Sequence, residues 1–439
     1  MITRRIQYET AKHVVGPFLM ALDKWQANIK KRNRKPRENP FGPPLESVRK
    51  LKDIMTRNYF EGRYADGAVP VVWVTSGFPA EIFFAMGFHV VYPENHAALC
   101  STRHMVPELA EVAEKDGFSR DICSYARTDI GSVISGKTPV GRLPKPDFIA
   151  CCTNICQTVL YWYRNLAEYL NVPLVLVDTP FIYGDTKEHH LAYVKEQLGE
   201  AIEVAEKISG RKMHPEKLAE VVKNARDGSV LWGECLSISR AKPAPWTGID
   251  TFFHIAPIVT IRGTKQCNEY YRSLKDELTD RVSKGIGGIK NEQHRLLWDN
   301  LPIWFKVREH STMTAERGFN FVCATYSNAW AEAGGLIDPQ KPLESAAKTY
   351  SYVYLNRDLD NRLKTTVELA KDFDVDGAVL HSDRSCKPYS VGQVDVKERL
   401  QKDMGIKVLL LEADHADERQ LSTEQAETRL LAFMESFDG

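Results

Sequence analysis

Short apolar runs rich in β-branched residues alternate with amphipathic stretches from Val71 to the end of the chain. This alternation is typical of parallel α/β structure, in which helices cover both faces of each strand. In the first half of the chain the predicted strands lie at 71–74, 89–92, 148–150 and 174–177. In the second half they lie at 296–298, 319–324, 378–380 and 408–411. The pattern therefore predicts an α/β fold with two Rossmann-like parallel-sheet domains.

The first 66 residues have a helical pattern of their own. Val14, Phe18, Leu22 and Trp25 recur at intervals of three and four residues and form one apolar stripe. We expect this N-terminal arm to pack on a neighbour. A basic run and a proline-rich stretch follow it, between residues 30 and 44. They favour a solvated linker or a subunit-docking arm over a nucleic-acid patch, because the chain as a whole is neutral.

Residues 187–248 form a predicted helical insert. The second helix of the insert is predicted to begin at Pro215, because proline suits the first turn of a helix, and to end at Gly228. The last helix of the chain is predicted from Thr423 to Phe437. The predicted divisions are an arm and linker at 1–66, a first α/β domain at 67–186, the insert at 187–248 and a second α/β domain at 249–439.

Composition narrows the possible partners. The 439 residues include 58 Lys and Arg and 58 Asp and Glu, so the formal net charge is zero and nothing attracts nucleic acid or an anionic membrane in general. No apolar run approaches the roughly 18 residues that a membrane span needs, and no signal-peptide core follows the start. We therefore expect a cytoplasmic protein with no nucleic-acid or membrane partner. The nine cysteines favour free thiols or metal ligands over a closed disulfide framework.

Residues 131–138 match the phosphate-binding pattern G-x-x-x-x-G-K-[ST] letter for letter. That motif requires a strand before it and a helix directly after it, so that the helix N-terminus faces the phosphates. Here Pro139, Gly141, Pro144 and Pro146 follow, and a helix cannot begin there. We therefore interpret the match as a coincidence and not as a nucleotide site.

Several cysteines follow the predicted carboxyl ends of strands, where open α/β sheets bind their ligands. Cys152 and Cys156 lie just after the strand at 148–150, and Cys386 lies a few residues beyond a strand of the second half. Cys123 follows a helical stretch. Iron–sulfur clusters take thiolate ligands and carry negative charge, so cysteines at a strand-to-helix transition suit them. Spacing alone leaves a cluster and a structural role both open, because no C-x2-C pair occurs.

Other cysteines have a simpler explanation. Cysteine is among the most buried residue types and packs as a small apolar side chain. We expect Cys151, Cys235, Cys267 and Cys323 to occupy cores in this way.

Several short motifs occur in an order that is typical of one family. They are Phe78-Pro79-Ala80-Glu81 with Ala85-Met86-Gly87-Phe88, Cys123-Ser124-Tyr125, Cys152 to Cys156 with Tyr163 and Val177-Asp178-Thr179-Pro180, residues 376–386 with their final Arg384-Ser385-Cys386, and Leu411-Glu412-Ala413-Asp414 with Thr428-Arg429-Leu430. In these motifs the chain resembles the benzoyl-CoA reductase and 2-hydroxyacyl-CoA dehydratase family, over most of residues 67–190 and 290–439. The Tyr-rich helix after Cys156, the length and the N-terminal arm are most similar to the B-type subunits of ATP-dependent benzoyl-CoA reductases.

The resemblance implies one [4Fe-4S] cluster held by three cysteines, which by position are Cys123, Cys156 and Cys386. The family usually shows a single cysteine at the second site, whereas three occur here. The distance along the chain to Tyr163 favours Cys156, and Cys152 remains its rival. With three cysteine ligands, one iron keeps an open position toward substrate or water.

The resemblance further implies a reaction and a set of partners. The reaction is the two-electron reduction of benzoyl-CoA to a cyclic dienoyl-CoA, which needs electrons near the low extreme of iron–sulfur potentials, about −700 mV. The partners are a C-type sister subunit, two ATP-hydrolysing activator subunits, ferredoxin as electron donor and the CoA-thioester substrate. His381 is a candidate catalytic proton donor beside Cys386, although a lone histidine after a strand is commonly a structural hydrogen-bonding residue.

Two alternatives stay open at this point. A 2-hydroxyacyl-CoA dehydratase subunit would use the same kind of cluster for the elimination of water. A non-catalytic electron-relay subunit would leave the substrate to its partner. Consumption of (R)-2-hydroxyacyl-CoA without reduction of benzoyl-CoA identifies the first, and CoA-thioester contacts found only on the partner identify the second.

Overall fold

The structure is a computed structural model that describes residues 2–22, 25 and 39–438. Its strands are β1 Val71–Val74, β2 His89–Val91, β3 Phe148–Cys152, β4 Leu174–Val177, β5 His294–Asp299, β6 Phe319–Ala324, β7 Gly377–Asp383 and β8 Lys407–Ala413. Its α-helices include Ile2–Thr10, Ser47–Gly62, Glu81–Ala85, Pro93–Thr102, Val106–Lys115, Ser124–Ser135, Gln157–Leu170, Glu188–Ser209, Pro215–Ser237, Gly248–His254, Ala256–Thr260, Lys265–Ser283, Val307–Ala315, Thr325–Glu332, Pro342–Ser351, Leu359–Asp372, Lys387–Ser390, Gln393–Met404 and Thr423–Glu435. Among the described residues no helix is long and apolar enough to cross a membrane.

Each of the two sheets has four parallel strands, in the orders β2-β1-β3-β4 and β6-β5-β7-β8. β1 and β3 are buried along their whole length, as parallel strands are when helices cover both faces. The predicted fold class of two Rossmann-like parallel-sheet domains is confirmed, and the exact domain boundaries stay a prediction. In each sheet the strand that comes first along the chain, β1 or β5, lies between the next two strands, so the connections on its two sides run in opposite directions. Such a switch point opens a crevice at the carboxyl ends of the strands.

The two sheets share one apolar core. Trp73 of β1 and Ile149 of β3 belong to the same buried cluster as Trp298 of β5 and Val379 of β7. Burying apolar area stabilises a contact by roughly 25 cal/mol per Å². The shared cluster therefore fixes the two sheets relative to each other, and with them the loops that leave their carboxyl edges.

The N-terminal arm carries its apolar stripe on the surface. The described residues between 2 and 25 are helical. The side chains of Val14, Phe18, Leu22 and Trp25 are 40–67% exposed. That these exposed side chains pack on a neighbour stays a prediction. The basic run between residues 30 and 37 lies outside the described residues.

The second helix of the insert is longer than the sequence predicts. It begins at Pro215 as expected but continues through Gly228 to Ser237, so the predicted end at Gly228 is wrong. A Cβ atom at position 228 would lie 2.8 Å from Asn268 Oδ1, closer than real Cβ contacts come. The absence of a side chain at Gly228 allows the neighbouring helix Lys265–Ser283 to pack closely, and the helix continues past the glycine. Glycine can have such a packing role inside a helical pattern.

Candidate functional site

Three of the predicted ligand cysteines occupy the same kind of position. Cys123, Cys156 and Cys386 are each the N-cap residue of the helix that follows. The first turn of a helix presents unpaired N–H groups and the positive end of the helix dipole. The backbone N–H groups of Thr158 and Val159 favour the Cys156 thiolate in this way. Ser, Thr, Asp or Asn are usual at such caps, so in all three places a sulfur stands where a capping oxygen is common.

The three sulfurs also lie within electrostatic reach of one another. Burial, reinforced by the charge of Cys123, raises the pKa of the Cys156 thiol to about 12. Burial, together with the charges of Asp383, Cys123 and Cys156, raises the pKa of the Cys386 thiol well above its usual value. The structure thus brings together three thiols from distant parts of the chain, and the charges of Cys123 and Cys156 oppose the ionisation of Cys386. A bound metal cluster fits this donor set, because it supplies the positive charge that three thiolates need.

Cys152 lies on the other face of the first sheet. It belongs to a separate buried cluster, whereas Cys123 and Cys156 pack against the core that the two sheets share. Successive residues of a strand point to opposite faces, and Cys151 beside it does belong to the shared core. Burial raises the pKa of the Cys152 thiol to about 12.

The cysteines predicted to be structural are buried. Cys151, Cys235, Cys267 and Cys323 are free thiols in the interior, as expected. Burial raises the pKa of Cys267 to about 12, so this thiol stays protonated and packs as a small apolar side chain.

A buried histidine that the sequence reasoning missed contacts the first cysteine. His415 follows β8, and its Nδ1 atom lies 2.7 Å from Asp383 Oδ2. Its Nε2 atom lies 3.0 Å from Ser124 Oγ and 3.8 Å from Cys123 Sγ. Although burial opposes the charged form, Asp383 and Asp414 raise the pKa of His415 well above its usual value. Its place at the carboxyl end of a strand is the signal that could have identified it.

Asp383, Asp414 and His415 bring three potential metal-ligand atoms within 4.8 Å of one another. Each of these residues already has a partner in the protein. Asp414 accepts a hydrogen bond from Ser385 Oγ at 2.5 Å and two more from backbone N–H groups of the following turn. We interpret the three residues as a hydrogen-bonded network that holds the loops of the site, because their polar atoms are occupied within it.

Ion pairs hold the loop after β8 against the helix Ser124–Ser135. Arg127 is fully buried and donates to Asp417 Oδ2 at 2.8 Å and to Glu114 Oε1 at 2.7 Å. Arg419 donates to the same two carboxylates. Because Asp417 belongs to the second sheet region and Arg127 follows Cys123 on its helix, these pairs fix the first cysteine against the second half of the chain.

A carboxyl that the sequence reasoning also missed lies near the second cysteine. Glu94 accepts from the Ser76 N–H at 2.9 Å and lies 2.5 Å from the Tyr163 hydroxyl. That hydroxyl lies 3.0 Å from a second acceptor, the carbonyl oxygen of Val74. The phenol has one proton, so the Tyr163 hydroxyl shares it between these two acceptors. Burial raises the pKa of Glu94 to about 7, and its charge in turn raises the pKa of Cys156.

His381 lies in β7 and is fully buried. Its Nδ1 atom donates to the carbonyl oxygen of Leu301 at 2.7 Å, and its buried Nε2 atom has no hydrogen-bond partner. Burial lowers the pKa of His381, so the ring is neutral near pH 7. The geometry gives this histidine a structural hydrogen bond, and its role as a proton donor stays a prediction.

The segment at 131–138 lies at the wrong end of a helix for phosphate binding. It overlaps the last turn of Ser124–Ser135, and Gly136 ends that helix with a left-handed φ of 70°. Lys137 pairs with Glu108. Because the C-terminus is the negative end of a helix dipole, this geometry supports the interpretation of the motif as a coincidence.

The fold and the site together define a two-sheet α/β protein with a candidate cysteine-ligated centre. The sequence pattern of the family described as "2-hydroxyglutaryl-CoA dehydratase, D-component" matches residues 75–437. The chain belongs to this family, and the resemblance inferred from its motifs is confirmed.

Individual relatives are similar over most of their length. The chain is 34% identical over 389 residues to the (R)-2-hydroxyisocaproyl-CoA dehydratase alpha subunit of Clostridioides difficile, covering 88% of this chain and 94% of the relative. It is 34% identical over 362 residues to the (R)-phenyllactyl-CoA dehydratase alpha subunit of Clostridium sporogenes, covering 82% and 88%. It is 28% identical over 426 residues to the B-type subunit of the benzoyl-CoA reductase of Thauera aromatica, covering 91% and 96%. All three relatives are named as subunits, two of CoA-thioester dehydratases and one of a benzoyl-CoA reductase.

Proposed function

We propose that this chain is the iron–sulfur subunit of an enzyme that acts on a CoA thioester, with the dehydration of an (R)-2-hydroxyacyl-CoA as its reaction. The proposal rests on one observation. Cys123, Cys156 and Cys386 cap three helices and come within electrostatic reach of one another. Thiolates near helix N-termini are the donor set that a [4Fe-4S] cluster takes. The names of the relatives support a CoA thioester as substrate.

In this proposal Cys123, Cys156 and Cys386 hold the cluster. A bound [4Fe-4S] cluster supplies single electrons at low potential. Backbone N–H groups of the helices that follow favour the negative charge on Cys156 and on Cys386, and both side chains are half-buried. Cys156 is preferred over Cys152 as the second ligand, because Cys152 packs into a cluster on the opposite face of its sheet.

Glu94 is the group best suited to hold and move a proton in this site. General acid–base catalysis works best when the pKa of the group lies near the operating pH, and burial raises the pKa of Glu94 to about 7. Its Oε2 atom accepts from the Tyr163 hydroxyl at 2.5 Å, so a proton can be held between these two oxygens. Elimination of water from a hydroxyacyl thioester removes a proton from carbon and adds one to the leaving oxygen, so it needs such a group.

Replacing Glu94 with glutamine should lower kcat by about 10²–10⁴-fold without loss of iron. Glutamine has the shape of the protonated carboxyl, so it can accept from Ser76 and donate to Tyr163, but it cannot exchange a proton. The folded pKa of about 7 exceeds the usual 4.5, so wild type loses stability as the pH rises from about 4.5 to 7. The variant lacks this loss, and its stability relative to wild type should rise between pH 5 and pH 8. Unchanged kcat in the iron-loaded variant would contradict the role.

Reduction of benzoyl-CoA is the second candidate. The B-type subunit of the Thauera aromatica benzoyl-CoA reductase aligns with 91% of this chain, which includes part of the N-terminal region that the family pattern at 75–437 leaves out. Dehydration ranks first because the two dehydratase relatives are 34% identical and the reductase relative is 28% identical. For either reaction we propose that the chain works with a C-type sister subunit and ATP-hydrolysing activator subunits, and that ferredoxin supplies the electrons. We propose the cytoplasm as the location of the enzyme.

A substrate competition tests the proposal. The chain is produced anaerobically with its sister subunit and activator, supplied with ATP and reduced ferredoxin, and offered each CoA thioester in turn. Formation of a 2-enoyl-CoA from (R)-2-hydroxyacyl-CoA is the expected result. Loss of the aromatic absorbance of benzoyl-CoA would favour the second candidate, and turnover of neither substrate by a cluster-loaded enzyme would contradict both.

A further inference from the structure

We propose that His415 is a positioning residue that donates a hydrogen bond from Nε2 to the sulfur of Cys123 and thereby raises the reduction potential of the cluster. This inference deepens the proposed function and rests on the cluster that it includes. It assigns a role to a side chain that lies more than 290 positions along the chain from Cys123.

The orientation of the His415 ring is fixed on two sides. Nδ1 lies 2.7 Å from a carboxylate oxygen of Asp383, which can only accept, so Nδ1 carries a hydrogen. The edge of the ring packs against Tyr125 with centroids 4.2 Å apart. The Tyr125 hydroxyl in turn accepts from the indole N–H of Trp304. The ring therefore has no freedom to turn Nε2 away from the cysteine.

The chemistry of the sulfur decides which group donates. Nε2 lies 3.8 Å from Cys123 Sγ, within hydrogen-bond reach of sulfur, and 3.0 Å from Ser124 Oγ. A metal-bound cysteine is a thiolate and can only accept, whereas the serine hydroxyl can accept or donate. A favourable contact in the loaded site therefore requires a hydrogen on Nε2 that is shared between the sulfur and the hydroxyl.

Such a contact changes the electron affinity of a cluster. Hydrogen bonds to sulfur and nearby positive charge tune iron–sulfur potentials, because they stabilise the reduced form, which has one more negative charge. Partners outside the ligand shell typically change metal affinity or activity by roughly 10–100-fold. Loss of the donor should therefore lower the ratio of reduced to oxidised cluster about tenfold. For one electron this is a shift of the reduction potential by roughly 59 mV to a more negative value.

Two substitutions separate the two ends of the ring. In His415→Gln the amide nitrogen reaches the region of Nε2, and in His415→Asn it reaches only the region of Nδ1. We expect the full-length, anaerobically purified Gln variant to keep a potential near that of wild type and the Asn variant to show the negative shift, in potentiometric titrations followed by electron spin resonance. His104→Gln is the matched control, because His104 also pairs with a carboxylate, Glu418 at 2.8 Å, but its side chain is 59% exposed.

A wild-type chain without a cluster signal would overturn the proposed function itself. A loaded Asn variant with the wild-type potential would overturn only the role of His415. Should both variants fail to bind iron, reduced wild-type protein with ¹⁵N-labelled histidine decides the question. A nitrogen hyperfine coupling to the cluster supports the contact, and its absence overturns the inference.

Discussion

Replacing Cys156 with alanine should remove most of the cluster iron and lower activity more than about 100-fold. Loss of a partner outside the ligand shell typically costs only roughly 10–100-fold. Replacing Cys152 should leave iron and activity near the wild-type level. The difference follows from the faces of the first sheet. Cys156 caps a helix within electrostatic reach of Cys123 and Cys386, whereas Cys152 packs into a separate apolar cluster.

The two variants are compared by their iron and sulfide content and by their activity per amount of protein. Cys235→Ala is the matched control, because Cys235 is another buried thiol and lies in a third apolar cluster. It should keep iron while losing some stability, as expected when a buried sulfur leaves a small cavity. If Cys152→Ala loses the iron and Cys156→Ala keeps it, the assignment of the second ligand is reversed.

Replacing Glu81 with leucine should lower the free energy of unfolding by about 3–5 kcal/mol, because it leaves a buried guanidinium without its carboxylate. Arg262 Nε donates to Glu81 Oε1 at 2.7 Å, and both side chains are under a tenth exposed. The Tyr350 hydroxyl lies 2.9 Å from the same oxygen, and the guanidinium lies over the Trp330 ring, 5.1 Å from its centroid. Arg262 is only 3% exposed, so its positive charge would stay buried without the carboxylate.

A double variant separates the charge effect from packing. Glu81→Leu combined with Arg262→Met should be less destabilised than Glu81→Leu alone, because no uncompensated charge remains. Glu344→Gln is the exposed counterpart, since Glu344 pairs with Lys195 at 2.5 Å on the surface and should change stability by less than about 1 kcal/mol. Denaturant titrations of all four proteins measure the comparison, and equal losses in the single and double variants would contradict it.

The strands were predictable because their signal is local. β6 coincides with the predicted 319–324, and β3 extends the predicted strand by two residues into Cys151 and Cys152. The role of Gly228 was predicted wrongly because the cause of a glycine at this position is not local in sequence. The glycine admits a neighbouring helix near Asn268, which no pattern around position 228 reveals.

The site was predictable only in part, for the same physical reason. Each cysteine follows an element end that the sequence marks, but the approach of Cys123 to Cys386 depends on the core shared by two sheets and on pairs such as Arg127 with Asp417. His415 was missed because its partners, Asp383 and Cys123, come from other loops. Our preference for Cys156 over Cys152 depends on the face to which Cys152 points, and the sequence did not show that β3 extends to this residue.

The most direct test of the central claim is anomalous diffraction at the iron absorption edge from anaerobically grown crystals of this protein with its sister subunit. We predict one compact iron peak in this chain, bounded by the sulfurs of Cys123, Cys156 and Cys386. An iron peak beside Cys152, or this chain free of iron while its partner is loaded, would contradict the claim.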